Sequence, residues 1–273
     1  MSWGERYVSE SFPSQIWTLA LYLFIGYSTV SHTVSITVLL CMAGGLAQFR
    51  RLLIGSSALF RVCTASMSSG GASRLPPLQP PHLDEEQQQL YDDITQSRIK
   101  VVGKEAVFDE QGGLRGPWMA EVVSPHLGKH LERLATAVRV DNSLEPRLYE
   151  VAILVVGVHW RAQFEWFAHE KLARKAGVNE AAFELIKSDA PPESLAGILR
   201  ADELAVYTLA RELMTTRRVS PSTYQTTKAL LGDSDVKMAD LCMSMGCYSA
   251  VSKILNMFEV PLPAGHQNPF LEP

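Results

Sequence analysis

The chain of 273 residues has only four cysteines, too few for a disulfide-built scaffold at this length. It has no surplus of basic residues. With 25 Lys and Arg against 29 Asp and Glu, the formal net charge is −4. That excludes nucleic-acid binding by bulk charge, because phosphate contacts need an excess of cations. No segment sustains the period-two alternation of a half-buried strand, so a sheet is not expected. There is no GxGxxG behind a strand, no P-loop and no HExxH, and the cysteines form no CxxC pair. No cofactor and no metal are therefore expected. What is present is a folding composition, 47% apolar and 20% charged, in a length that fits one or two domains.

The scarcities are uneven along the chain. Residues 1–74 have no Lys and no Asp. Their five Arg and two Glu leave a net +3, while the rest of the chain carries −7. Within this part, Ile16–Val30 and Val34–Gln48 are apolar runs without charge. The charge-free stretch 11–49 exceeds the ~20 residues a helix needs to cross a bilayer core. Arg50 and Arg51 would then face the cytoplasm. Three readings of residues 1–66 stand open: a membrane anchor, an organelle-targeting segment rich in Arg and Ser, or a mis-assigned start with translation opening at Met67. Residues 67–83, with paired Gly and paired Pro, read as a flexible linker. Residues 84–265 read as one helical domain, expected in the cytoplasm, and 266–273 as a tail.

Helix signals dominate from Asp84 onward. Asp84–Arg98 has strong helix formers with acids in its first turn. Lys100–Pro117, with four glycines, reads as a loop or short hairpin. Ser124 and Pro125 open a helix whose apolar residues Leu127, Leu131, Leu134, Ala135 and Val138 recur at helical spacing. Ser143 is a candidate cap for the next helix, whose run Val151–Trp160 has no solvent face. Such a helix must be buried on all sides, either at the centre of the domain or between subunits, and the second case implies a homo-oligomer. After a break near 157–161, helices are expected over 162–176, 179–186, 201–214, 220–231 and 236–258.

The polar residues set into these helices are the candidates for chemistry. Glu165 and His169 lie four apart and share one helix face. A carboxylate beside an imidazole in an apolar pocket is a proton-transfer pair. A solvated surface pair has the same spacing. Glu150 begins the apolar run and could instead pair with Arg147. His159, beside Trp160, reads as a packing residue. Cys242 and Cys247 are five apart, about 140° around a helix, and so lie on different faces.

Leu144–Val178 resembles the carboxymuconolactone decarboxylase-like family of the alkylhydroperoxidase-D-like superfamily. In its thiol-peroxidase branch a Glu is followed by a CxxC pair and by a His four residues after the second Cys. Here Glu150 and His169 match, while Ala162 and Glu165 stand where the cysteines would be. The variant Glu165-Trp166-x-x-His169 looks like the decarboxylase-like branch. Arg115–Leu134 resembles the family's opening helix, and Lys237–Gly265 its closing helix and Asn-x-Phe-x-Val-Pro-Leu-Pro tail.

The resemblance implies an all-α, alkylhydroperoxidase-D-like bundle. It also implies a cofactor-free lyase that decarboxylates a small carboxylated lactone or keto acid. In that reading His169 is the general acid/base, with Glu165 and Glu150 in its relay. Trp160 and Trp166 wall a flat substrate, and Arg115 and Arg161 hold its carboxylate. Tyr248 and His126 are further candidates. A peroxidase needs a thiolate and a resolving thiol, which neither Ala162 nor Glu165 supplies. A catalytically silent helical oligomer, or a membrane-tethered partner protein held through residues 11–49, is the alternative from another class.

Overall fold

The computed structural model describes residues 73–75, 78–109 and 112–271; the candidate anchor and residues 1–66 lie outside the described residues. Among the described residues the domain is all-helical, with isolated bridges and no strand. Helix α1 spans Glu85–Val102 and α2 Lys104–Val107. Helices α3 (Trp118–Val123) and α4 (Pro125–Val140) are separated by Ser124 alone. Then follow α5 (Pro146–Trp160), α6 (Gln163–Lys175), α7 (Ala182–Lys187), α8 (Ala201–Thr216), α9 (Pro221–Leu230) and α10 (Asp235–Met257). None of these is long and apolar enough to cross a membrane.

Local chemistry sets the boundaries. The Asp84 side chain accepts from the Gln87 N–H at 2.9 Å, and the Gln87 side chain accepts from the Asp84 N–H at 3.1 Å, a reciprocal cap that starts α1. Proline occupies the first turn of α4, α5 and α9, where its missing N–H costs nothing. The expected loop after α1 includes a single antiparallel bridge, Phe108 to Leu114. Ser143 does not cap α5. Its N–H and hydroxyl both donate to Asp240 on α10, and Glu145 takes the cap position.

Helix α5 is the axis of the domain. Arg147 through Gly157 are all buried, and α10, α8, α6 and α7 surround them. The burial stops short of the whole apolar run, since His159 is exposed and Val158 and Trp160 are half-covered. One chain therefore covers this helix by itself, and its composition no longer calls for a subunit interface. Arg147, the other suggested partner of Glu150, is engaged elsewhere, with Glu145, Asp202 and Glu203.

Two further expectations shift. The buried face of α4 is Gly128, Glu132, Ala135 and Val138, while Leu127 and Leu134 are exposed. Glu132 points inward beside Leu131, Ala135 and Val138, while Leu127 and Leu134 turn outward. The tail is also not free, because Phe270 is buried with its ring 6.0 Å from Trp166. Part of the linker is pinned as well, the Arg74 N–H donating to the Phe258 carbonyl at 2.9 Å.

Gly128 sets how closely α3 and α4 approach. A Cβ there would lie 2.2 Å from the backbone oxygen of Glu121, a contact that no side-chain rotation relieves. Gly128→Ala is therefore expected to destabilise the domain by about 1–3 kcal/mol, despite alanine's better helix propensity. Gly246 on α10 has open space around its Cβ position, so Gly246→Ala should hold or raise the melting temperature. Calorimetry of the two variants separates steric from propensity effects, and equal melting temperatures would contradict this account.

Candidate functional site

A cavity of about 260 Å³ lies where α1, α3 and α4 meet α6 and α10. Its apolar wall includes Trp118, Phe164, Phe167, Val251 and Pro263. Its polar wall is dense in charge: Arg98, Glu121, Glu132, Arg139, Glu165, His169 and Tyr248 all face it. Each arrives by helix register. Glu165 and His169 sit one turn apart on α6, and Glu132 and Arg139 two turns apart on α4.

On one side, His169 is held between two carboxyl groups. The distance from its Nδ1 to Glu150 Oε2 is 2.7 Å, and from its Nε2 to Glu165 Oε1 it is 3.5 Å. All three residues are only 3% exposed. Glu150, on α5, does not line the cavity and stands behind the imidazole. With a carboxylate on Nδ1, that nitrogen donates and Nε2 is turned toward Glu165. Burial pushes the Glu165 carboxyl up to about 7, with Glu150 adding to the rise and His169 and Arg139 opposing it. At 3.5 Å Glu165 Oε1 makes no hydrogen bond to Nε2 and has no other partner among the described residues, so passing a proton from Glu165 to Nε2 requires the two groups to close by a few tenths of an ångström while Glu150 steadies the ring.

On the other side, Arg98 and Glu132 form a buried ion pair at 2.7 Å. Glu121 lies near them with Oε2 buried and without a hydrogen-bond partner among the described residues. Its carboxyl is pushed up to about 8, first by burial and then by the charge of Glu132, against the pull of Arg98 and Arg139. Between the two sides stands Tyr248. Its hydroxyl accepts from Arg139 Nε at 3.2 Å and Nη2 at 3.0 Å, and its ring lies edge-on to His169 with centroids 4.6 Å apart. Burial raises the phenol further, keeping it neutral.

The candidates separate accordingly. His169, Glu165, Glu150 and Tyr248 come together, but Trp160, Trp166, Arg115, Arg161 and His126 lie outside the cavity wall. Trp166 is buried against Phe270, and Trp160 lies under the Lys253 ammonium, 4.9 Å from its ring centroid. Arg115 donates to the Phe108 carbonyl, and Arg161 ends α5 in a left-handed conformation and donates to the Phe270 carbonyl. His126 is exposed on the first turn of α4. Sequence reasoning missed Glu121, Glu132, Arg98 and Arg139. The available signal was the three- and four-residue spacing of Glu132 and Arg139 from buried Ala135, and of Arg98 from buried Ile94, but a charged residue there also fits a solvated face.

Cys242 is exposed and Cys247 buried, on different faces of α10. The Cys247 thiol is pushed up to about 12 by burial and by the nearby Glu165 and Glu121 carboxyls. Among the described residues no group of three or more His, Cys, Asp or Glu side chains is placed to hold a metal ion.

The two raised carboxyls couple stability to pH. A carboxyl whose pKa rises on folding binds its proton more tightly in the folded state. Its contribution is therefore complete below the ordinary value near 4.5 and is lost as pH rises through the folded value. Chemical denaturation should show stability falling between about pH 4.5 and 8 through these groups. The double variant Glu121→Gln/Glu165→Gln should flatten that window, and an unchanged slope would refute the assignment.

No protein-family model and no curated protein matches this sequence. Solved structures do match its fold. An alkylhydroperoxidase AhpD core, an uncharacterized peroxidase-related protein from Ralstonia eutropha JMP134, superposes with a TM-score of 0.56 at 12% identity. The match covers 72% of this chain and 95% of that one. An uncharacterized peroxidase-related protein from Silicibacter sp. TM1040 superposes with a TM-score of 0.53 at 13% identity, covering 74% of this chain and 96% of that one. At such identities the likeness is one of fold, and the fold of this domain is the all-helical, alkylhydroperoxidase-D-like bundle.

Proposed function

We propose that the domain is a cofactor-free acid–base enzyme, a decarboxylase-like lyase acting on a small carboxylated lactone or keto acid. The observation that carries this reading is the buried array of Glu150, His169 and Glu165 at the wall of a partly open cavity. The reaction breaks the bond from carbon to the carboxylate. Its electron pair passes to a conjugated carbonyl as an enolate, CO₂ leaves, and a proton is delivered to carbon. His169 delivers that proton, and Glu165, whose carboxyl holds a proton up to about pH 7, resupplies it. Glu150 fixes the ring through its contact with Nδ1. The dry apolar wall favours loss of the substrate carboxylate's solvation.

The fold neighbours described as peroxidase-related raise thiol chemistry as a second reading. Against it stands the state of the described thiols. Cys247 is buried with its thiol pushed up to about 12, so it offers almost no thiolate at neutral pH, and Cys242 is exposed and does not line the cavity. Peroxide consumption with a dithiol donor should match the protein-free blank.

Carbon dioxide release from a panel of carboxylated γ-lactones and β-keto acids tests the lyase reading. Turnover is expected on at least one member. His169→Ala should lower it by about 10²–10⁴-fold with the helical signal retained. Full activity in that variant, or silence of the whole panel, would leave the domain as a helical scaffold without this chemistry.

A further inference from the structure

Arg139 occupies an unusual position among the cations at the cavity. Arg98 is matched in charge by Glu132, although its Nε, like Glu132 Oε2, has no hydrogen-bond partner among the described residues, and Lys171 and Lys175 lie at the exposed rim, Lys171 over the Phe167 ring. Arg139 instead spends Nε and Nη2 on one neutral partner, the Tyr248 hydroxyl. Its third donor group, Nη1, is sealed from solvent with no hydrogen-bond partner among the described residues. A buried guanidinium N–H left unmade is costly unless something else receives it. Glu121, 3% exposed on the neighbouring helix α3, has Oε2 in the same condition.

We propose that Arg139 is the anion receptor of this cavity, its Nη1 donating to a carboxylate oxygen of a small organic acid while the Glu121 acid group offers a second donor. The Tyr248 hydroxyl accepts from two guanidinium nitrogens and so fixes the fork; its own O–H is turned out of that pair and remains a donor. The same ring lies against His169, so an acid seated on Arg139 lies beside the imidazole. Arg139 stays cationic there. Burial opposes its charge, but the Tyr248 hydroxyl and the carboxylates of Glu150 and Glu132 support it. Neither Arg115 nor Arg161 reaches this space. The inference extends the lyase reading to the group that anchors the substrate, yet it concerns binding and needs no turnover.

The test is fluorine NMR on the folded protein with 4-fluorobenzoate as the probe and 4-fluorobenzamide as its uncharged counterpart. The carboxylate should bind at least tenfold more tightly than the amide at pH 7. Arg139→Met should abolish that preference, Arg139→Lys should retain part of it, and Tyr248→Phe, which loosens the guanidinium without removing charge, should weaken it severalfold. His169→Ala should lose turnover and keep probe binding, which separates failure of the receptor from failure of the lyase reading. Should Arg139→Met not fold, the comparison of the two probes on the unaltered protein and on Tyr248→Phe decides the matter. Equal binding of acid and amide, no binding of either at millimolar concentration, or an undiminished preference in Arg139→Met would each overturn the proposal.

Discussion

The structure depends on the cost of placing charge in a buried space. Arg98, Glu121, Glu132, Arg139, Glu165 and His169 meet around one cavity, with Glu150 directly behind. A bare ion there would cost several kcal/mol, so each group must be paired, protonated or hydrogen-bonded. The observed solutions differ. Arg98 and Glu132 neutralise each other, and Glu150 and His169 share a short bond. Glu121 and Glu165 keep their protons into the neutral range, and Arg139 leans on a phenol. The same penalty that makes these groups expensive makes the retained protons useful near pH 7.

Rigidity elsewhere holds the geometry in place. Helix α5 is sheathed by its own chain, and it carries Glu150 on the side that α6 covers with His169. Gly128 allows α4 to touch the backbone of α3, which draws Glu121 toward the cavity. The segment after α10 crosses back over the domain. Pro263 closes part of the apolar wall, His266 stacks edge-on against Phe167, and Phe270 packs on Trp166. A cavity walled by packed helices and by the segment after α10 is the condition for positioning a small acid within tenths of an ångström.

Much of the fold was legible from local chemistry. Proline after Ser124 and Glu145, glycine at 177 and the four-residue step from Glu165 to His169 each act within one or two turns, and the helices follow them. The run Val151–Trp160 declared the burial of its first seven residues, because no face of that part could meet water, while its last turn, with exposed His159, was read as more buried than it is. The α4 stripe was misread at Leu127 and Leu134, though not at Leu131, Ala135 and Val138, for an equally physical reason. Leu127 and Leu134 repeat at helical spacing just as Glu132 and Arg139 do, and periodicity alone does not say which row turns inward. Trp160, Trp166, Arg115 and Arg161 have suitable chemistry for a substrate, yet their directions are set by neighbours distant in sequence, such as Phe270 and Phe108.

By itself the sequence determined the all-helical class, the central apolar helix and the adjacency of Glu165 to His169, since these follow from interactions between residues a few positions apart. Only the tertiary structure decided that Glu150 reaches the other nitrogen of that imidazole across 19 residues, and that Tyr248 joins Arg139 to it across 109. Long-range packing also chose which charges were to be enclosed. The energy of a buried charge depends on everything around it, and that surrounding exists only once the chain is folded.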